Sequence, residues 1–203
     1  MSNVARLLSR VPAASVVHLG TPCSSFSTAR RGKLGSPGGP IRSKLHPMGL
    51  PELRPGDAEK VKLGNKLLRL SVRVINLCCL HTIPVSLENP RRSRLWWTPC
   101  MLQRLRRGGH KVCLDFCRFG TPWQKSTTFA VWNTAAFDPL ERRCCKHNGL
   151  CSSTNKHHQR LEGNAPGGKR WTLVAEPYPA PLCSLYASCA DGAVDTANYR
   201  VYL

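Results

Sequence analysis

One long helical signal lies between two short apolar runs, and that alternation limits the folds open to this chain more than any other feature. Residues 57–80 place Leu63, Leu67, Leu70 and Val74 at helical spacing, with Lys60, Lys62, Lys66 and Arg69 between them. Asp57 follows Pro55-Gly56 and is expected as the N-cap, while Gly64-Asn65 weakens the middle of the helix. Residues 14–19 (Ala-Ser-Val-Val-His-Leu) run into Gly20-Thr21-Pro22, and residues 83–87 (Ile-Pro-Val-Ser-Leu) run into Glu88-Asn89-Pro90. Apolar, β-branched runs closed by Gly or Pro are strand signals. A loop and a helix between them give enough chain for a right-handed crossover, so the two strands are expected as parallel neighbours. The class is α/β.

Further along, residues 99–107 suggest a short helix, and residues 111–116 and 127–132 a third and a fourth strand. Phe119-Gly120-Thr121-Pro122 between those strands reads as the turn of an antiparallel pair. Residues 30–51 are rich in Gly, Pro and cations and are expected as a long loop. The chain therefore divides into a basic segment at 1–13 and a main region at 14–137. A Cys- and His-rich loop region with a last strand at 171–175 fills 138–180, and 181–203 form a tail without clear period.

The charge narrows the partners. Thirty Lys and Arg against eleven Asp and Glu give a net charge of +19, spread along the chain, and such a surface attracts polyanions. DNA is the expected partner and RNA stays open, with Arg30 and Arg31 at the head of the basic loop as contacts. The eleven cysteines are odd in number and irregularly spaced, and no signal peptide precedes them. Reduced thiols in an intracellular protein are expected, with the nucleus favoured by the DNA reading. The first 51 residues hold no Asp or Glu and are punctuated by Arg6, Arg10, Arg30 and Arg31, so a mitochondrial or plastid transit peptide is the alternative. No apolar run reaches the roughly 20 residues of a membrane-spanning helix.

The loop Gly20-Thr21-Pro22-Cys23-Ser24-Ser25-Phe26-Ser27 holds a cysteine at a strand end on a backbone stiffened by Pro22. It resembles motif IV of the DNA cytosine-5 methyltransferases, a Gly-Pro-Pro-Cys-x-x-Phe-Ser loop, with Thr21 in place of the second-position proline and Ser24 in place of glutamine. Leu87-Glu88-Asn89-Pro90 resembles the same family's motif VI, where Glu-Asn follows a strand. Phe119-Gly120-Thr121-Pro122-Trp123-Gln124-Lys125-Ser126-Thr127 resembles a Tyr/Phe-Gly-x-Pro-x-x-Lys-x-Thr turn of divergent, phage-like and protist relatives. The resemblance implies a partial Rossmann-like methyltransferase sheet, with two parallel strands, a reversed pair beside them and an exposed edge.

It also implies roles. Cys23 would add to C6 of a flipped cytosine, Glu88 would protonate N3 from the opposite edge, and Asn89 would position that loop. Arg118 and Lys125 would contact the nucleic acid. The family's donor is S-adenosylmethionine, held by a Phe-x-Gly-x-Gly loop and two further strands. Neither precedes residue 14, so the resemblance covers the catalytic half, and cofactor-binding residues stay unknown. A missing cofactor-binding half is then an expected partner, and the copy is expected to be incomplete or inactive.

Two other functions remain open: a basic, non-catalytic nucleic-acid-binding remnant, and a small zinc-binding module. For the latter, Cys145-x5-Cys151-x5-His157 lies on a polar loop and could begin a zinc site.

Overall fold

The computed structural model of the protein describes residues 15–199 other than 31, 34 and 35. The basic segment 1–13, Ala14, Arg31 and residues 200–203 lie outside the described residues. Four strands form one mixed sheet in the order β1-β2-β4-β3: β1 (Val17–Leu19), β2 (Val85–Pro90), β3 (His110–Asp115) and β4 (Ser126–Trp132). β1 runs parallel to β2, with Val17 opposite Val85 and Leu19 opposite Leu87. β4 lies antiparallel between β2 and β3, pairing Glu88 with Phe129 on one side and Val112 with Phe129 on the other. The α/β class, the parallel pair and the reversed pair agree with the sequence pattern.

Alternation along the strands splits the apolar side chains between two cores. Val85, Leu87, Ala130 and Trp132 face α1 (Pro55–Leu80) and α2 (Pro99–Arg106), joining Phe26, Leu68, Ile75 and Met101. Val112, Leu114, Phe129 and Val131 face the opposite way, onto Phe116, Phe137 and Leu140 and onto Leu182, Cys189 and Ala193 of α3 (Ala180–Tyr199). The sheet is thus covered on both faces, in three layers.

α1 starts earlier and turns differently from the sequence expectation. Pro55 occupies its first turn, where a missing N–H costs nothing, and the N-cap is Arg54 without a side-chain cap bond. Asp57 lies inside the first turn and pairs with Arg30 at 2.9 Å and Lys60 at 3.4 Å. The buried stripe is Val61, Gly64, Leu68, Ser71, Ile75 and Cys78, whereas Leu63 and Leu70 are exposed. Small and polar residues on the buried stripe disguise it, because they meet a polar loop as well as the sheet.

The C-terminal region departs most from expectation. The expected tail from 181 is a 20-residue helix, α3. Half of its inward residues are small (Cys189, Ala190 and Ala193) beside Leu182, Leu185 and Tyr186, so its apolar period is faint in sequence. The expected strand at 171–175 is one helical turn, Trp171–Val174. A run that short fits either state, and an isolated bridge between Asn164 and Arg170 comes just before it.

Candidate active site

The loop after β1 is fixed from three directions. The Cys23 carbonyl accepts the N–H of Phe26 at 2.9 Å and of Ser27 at 2.8 Å, winding one tight turn around the cysteine. Phe26 is fully buried in the α1-side core, a placement worth about 2–3 kcal/mol of apolar burial. Thr21 Oγ1 and Ser71 Oγ of α1 lie 2.7 Å apart, and Asn89 Nδ2 donates to the Thr21 carbonyl at 2.7 Å. Asn89 Nδ2 also donates to the Glu88 carbonyl, which leaves Asn89 Oδ1 buried and without a partner.

Arg42 is the main polar support of that loop. Its guanidinium lies 3.8 Å from the Phe26 ring centroid and donates to Ser25, Pro47, Val61 and Asn65 at 2.7–3.1 Å. Asn65 Nδ2 in turn donates to the Met48 carbonyl at 2.8 Å. Gly64 sits where a Cβ would overlap Ser25 Oγ and crowd Arg42. Gly64-Asn65, a weak point of the helix by propensity, is therefore the face on which the Cys23 loop docks.

Cys23, Glu88 and Lys125 converge from three elements: the β1 loop, the end of β2 and the residue before β4. Burial pushes the Cys23 thiol up; the Glu88 carboxylate pushes it further, and the Lys125 ammonium opposes both. Burial likewise pushes the Glu88 carboxyl up, against Lys125 and a hydrogen bond with Tyr178. Lys125 is pulled down by burial and supported by Glu88, Cys23 and Glu176. Its Nζ donates to the Ala175 and Glu176 carbonyls, both at 3.1 Å, and lies 4.7 Å from the Phe116 ring centroid. Tyr178 completes the group, its hydroxyl pushed up by burial and by Glu88.

Thiol and carboxyl are both pushed toward their protonated forms, and Lys125 opposes this for each. With the proton on Glu88, the thiolate keeps Lys125 as its counter-charge and loses its nearest anion. A thiolate nucleophile beside a neutral carboxylic acid is the pair needed to attack an electron-poor ring and protonate its far edge.

Three expected nucleic-acid contacts have other partners. Arg118 Nη1 donates to Ser153 Oγ at 2.9 Å and Ser152 Oγ at 3.4 Å, and its Nε is buried without a partner. Arg30 donates to the Gly39 carbonyl at 2.6 Å and to Asp57 at 2.9 Å. Lys125 faces the thiol and carboxyl rather than an open surface. Arg31 lies outside the described residues. Tyr178 carries little signal in the sequence beyond the Pro177-Tyr178-Pro179 context, which stiffens the backbone at one residue.

The expected zinc residues are also shifted. Cys145 and His157 are both exposed on their loop. The ligand atoms that come together are those of Cys117, Cys144, Cys151 and His158, all within 4.8 Å of one another. Cys151 is common to both sets, and the other two positions move by one residue. Adjacent residues of an extended segment point to opposite sides, so a one-residue error selects the solvent side.

Beside β1 is a cavity of about 180 Å³ lined by His18, Phe129, Tyr178, Leu182, Cys183 and Tyr186. None of these is a carboxylate for ribose hydroxyls or a cation for a carboxylate, so this lining does not fit S-adenosylmethionine. No described helix is long and apolar enough to cross a membrane. Comparison with protein-family models, with curated proteins and with solved structures returns no match.

Proposed function

We propose that the chain carries a C5-cytosine methyltransferase-like catalytic region acting on DNA. The observation that carries this reading is the convergence of Cys23, Glu88 and Lys125 at one end of a parallel strand pair. Open α/β sheets place their sites outside the strand ends. The Cys23 thiolate adds to C6 of a flipped cytosine while Glu88 gives its proton to N3, and an enamine forms with its nucleophilic carbon at C5. Cys23 rests as the thiol and loses its proton as it attacks, Lys125 being the cation that favours the thiolate, and Asn89 fixes the two loops relative to each other. Tyr178 orients the Glu88 carboxyl.

Addition and its reversal exchange the C5 hydrogen of cytosine with solvent, because the enamine takes up a solvent proton at C5 before the original hydrogen and the thiolate leave. The test is therefore deuterium incorporation at C5 of a DNA oligonucleotide incubated with the protein in heavy water. Exchange that vanishes in Cys23→Ser and slows by about a hundredfold in Glu88→Gln supports the reading. Tight DNA binding with no Cys23-dependent exchange leaves a non-catalytic nucleic-acid-binding protein as the better account.

A further inference from the structure

We propose that Cys117, Cys144, Cys151 and His158 bind one structural zinc ion, at a centre separate from the chemistry at Cys23. The four ligand atoms lie within 4.8 Å of one another, and Cys144 Sγ is 3.7 Å from His158 Nε2. In a tetrahedral site, Zn–S bonds of about 2.3 Å and a Zn–N bond of about 2.0 Å put neighbouring donors roughly 3.5–3.8 Å apart. One ion seats between them with little movement. Three sulfurs and an imidazole in a four-point cage suit zinc among the divalent cations. Four protein ligands leave no open position, so the ion is structural.

The surroundings are built for thiolates. The backbone N–H of Ser152 points at Cys144 Sγ at 3.4 Å, and that of Ser153 at Cys151 Sγ at 3.4 Å. The Ser152 hydroxyl adds a second donor to Cys144 at 3.5 Å. Asp115 Oδ2 accepts the backbone N–H of Cys144 at 2.8 Å, which fixes that ligand to the end of β3. Arg118, next to Cys117, reaches across to the Ser152 and Ser153 hydroxyls. Outer contacts of this kind orient ligands and spread the negative charge of bound thiolates.

The ion also answers a need of the fold. The spacing is Cys117-x26-Cys144-x6-Cys151-x6-His158, so the site ties the segment 144–158 to the 3-10 turn after β3. Residues 141–170 contain no described strand or α-helix, and Cys151 is their one buried hydrophobic side chain among the described residues. A segment with so little core needs another source of order, and a metal supplies it. On binding, each of the three thiols gives its proton to solvent as a Zn–S bond forms.

The test uses the full, untagged chain purified without chelator. Elemental analysis is expected to find about one zinc per chain, and cobalt replacement is expected to give the absorption of a tetrahedral, sulfur-ligated ion. Cys117→Ser and Cys144→Ser are expected to lose the metal, whereas Cys145→Ser and His157→Ala keep it. Thiol labelling of the wild type checks the result without a variant: zinc shields three of the eleven cysteines, and a chelator releases them. Metal-free protein after refolding with zinc, a disulfide among these cysteines, or undiminished metal in Cys117→Ser would overturn the proposal.

Discussion

Asn89 donates its side-chain amide to the carbonyl oxygen of Thr21 at 2.7 Å, which ties the end of β2 to the loop that presents Cys23. Two residues 68 positions apart are thereby locked into one frame, and both are buried. Asn89→Ala leaves the Thr21 carbonyl buried without its donor, at a cost of about 1–3 kcal/mol. Denaturant unfolding should show the midpoint falling at unchanged slope. An unaffected midpoint would mean that the two loops hold their positions without this bond.

Gly64 gives a sharper test of the docking face. Gly64→Ala raises helix propensity by about 1 kcal/mol and, in an exposed helix, would stabilise. Here the new Cβ overlaps Ser25 Oγ and crowds Arg42, so the variant should be less stable than wild type, and Gly64→Val less stable again. A stabilised Gly64→Ala, measured by thermal or denaturant unfolding, would show that the Cys23 loop does not rest on this face.

The thiol should react according to its neighbours. Alkylation of Cys23, followed by peptide mass spectrometry against pH, should have its midpoint above that of an ordinary thiol, since burial and Glu88 both favour the protonated form. Removing the Glu88 charge in Glu88→Gln should move the midpoint down. Removing the ammonium in Lys125→Met should move it up, because Lys125 is the cation that favours the thiolate. Unchanged midpoints in both variants would separate the three groups.

Nucleic-acid affinity should depend on cations that have no strong internal partner. Arg92 and Lys146, both exposed, line a groove with Gln124 beyond the end of β2, whereas the neighbouring Arg91 is tied to Ser126 at 3.1 Å and Asp115 at 3.8 Å. Neutralising Arg92 and Lys146 should reduce the slope of log affinity against log salt by about 0.9 for each phosphate that is no longer neutralised. Arg42 belongs to the basic loop in sequence but is buried and committed to its internal bonds, so Arg42→Met should cost stability rather than alter the slope.

The sheet is legible in the sequence because its strands are apolar and three of the four run into Gly, Pro or Asn, and because the crossover is long enough to make β1 and β2 parallel. Cys23, Glu88 and Asn89 stand out by their places at strand ends, and the structure draws them together. The long helix is legible but its buried face is not, since Gly64 and Ser71 suit a polar loop and not a hydrophobic core. α3 escapes the pattern because Cys189, Ala190 and Ala193 make up half of its packing face and give little apolar signal. Cys117 does not stand out as a ligand because 26 residues separate it from Cys144, and no local spacing shows such a pair. Tyr178 reaches Glu88 only through tertiary packing.

The proposed attack of Cys23 on a cytosine ring can be trapped with a DNA oligonucleotide carrying 5-azacytosine. In that ring, position 5 is a nitrogen that takes up a proton after the thiolate adds at C6, so the adduct needs no methyl donor. A denaturation-resistant protein–DNA species is expected whose modified peptide contains Cys23, absent in Cys23→Ser and formed more slowly in Glu88→Gln. Bound DNA with an unmodified Cys23, or an adduct that persists in Cys23→Ser, would contradict it.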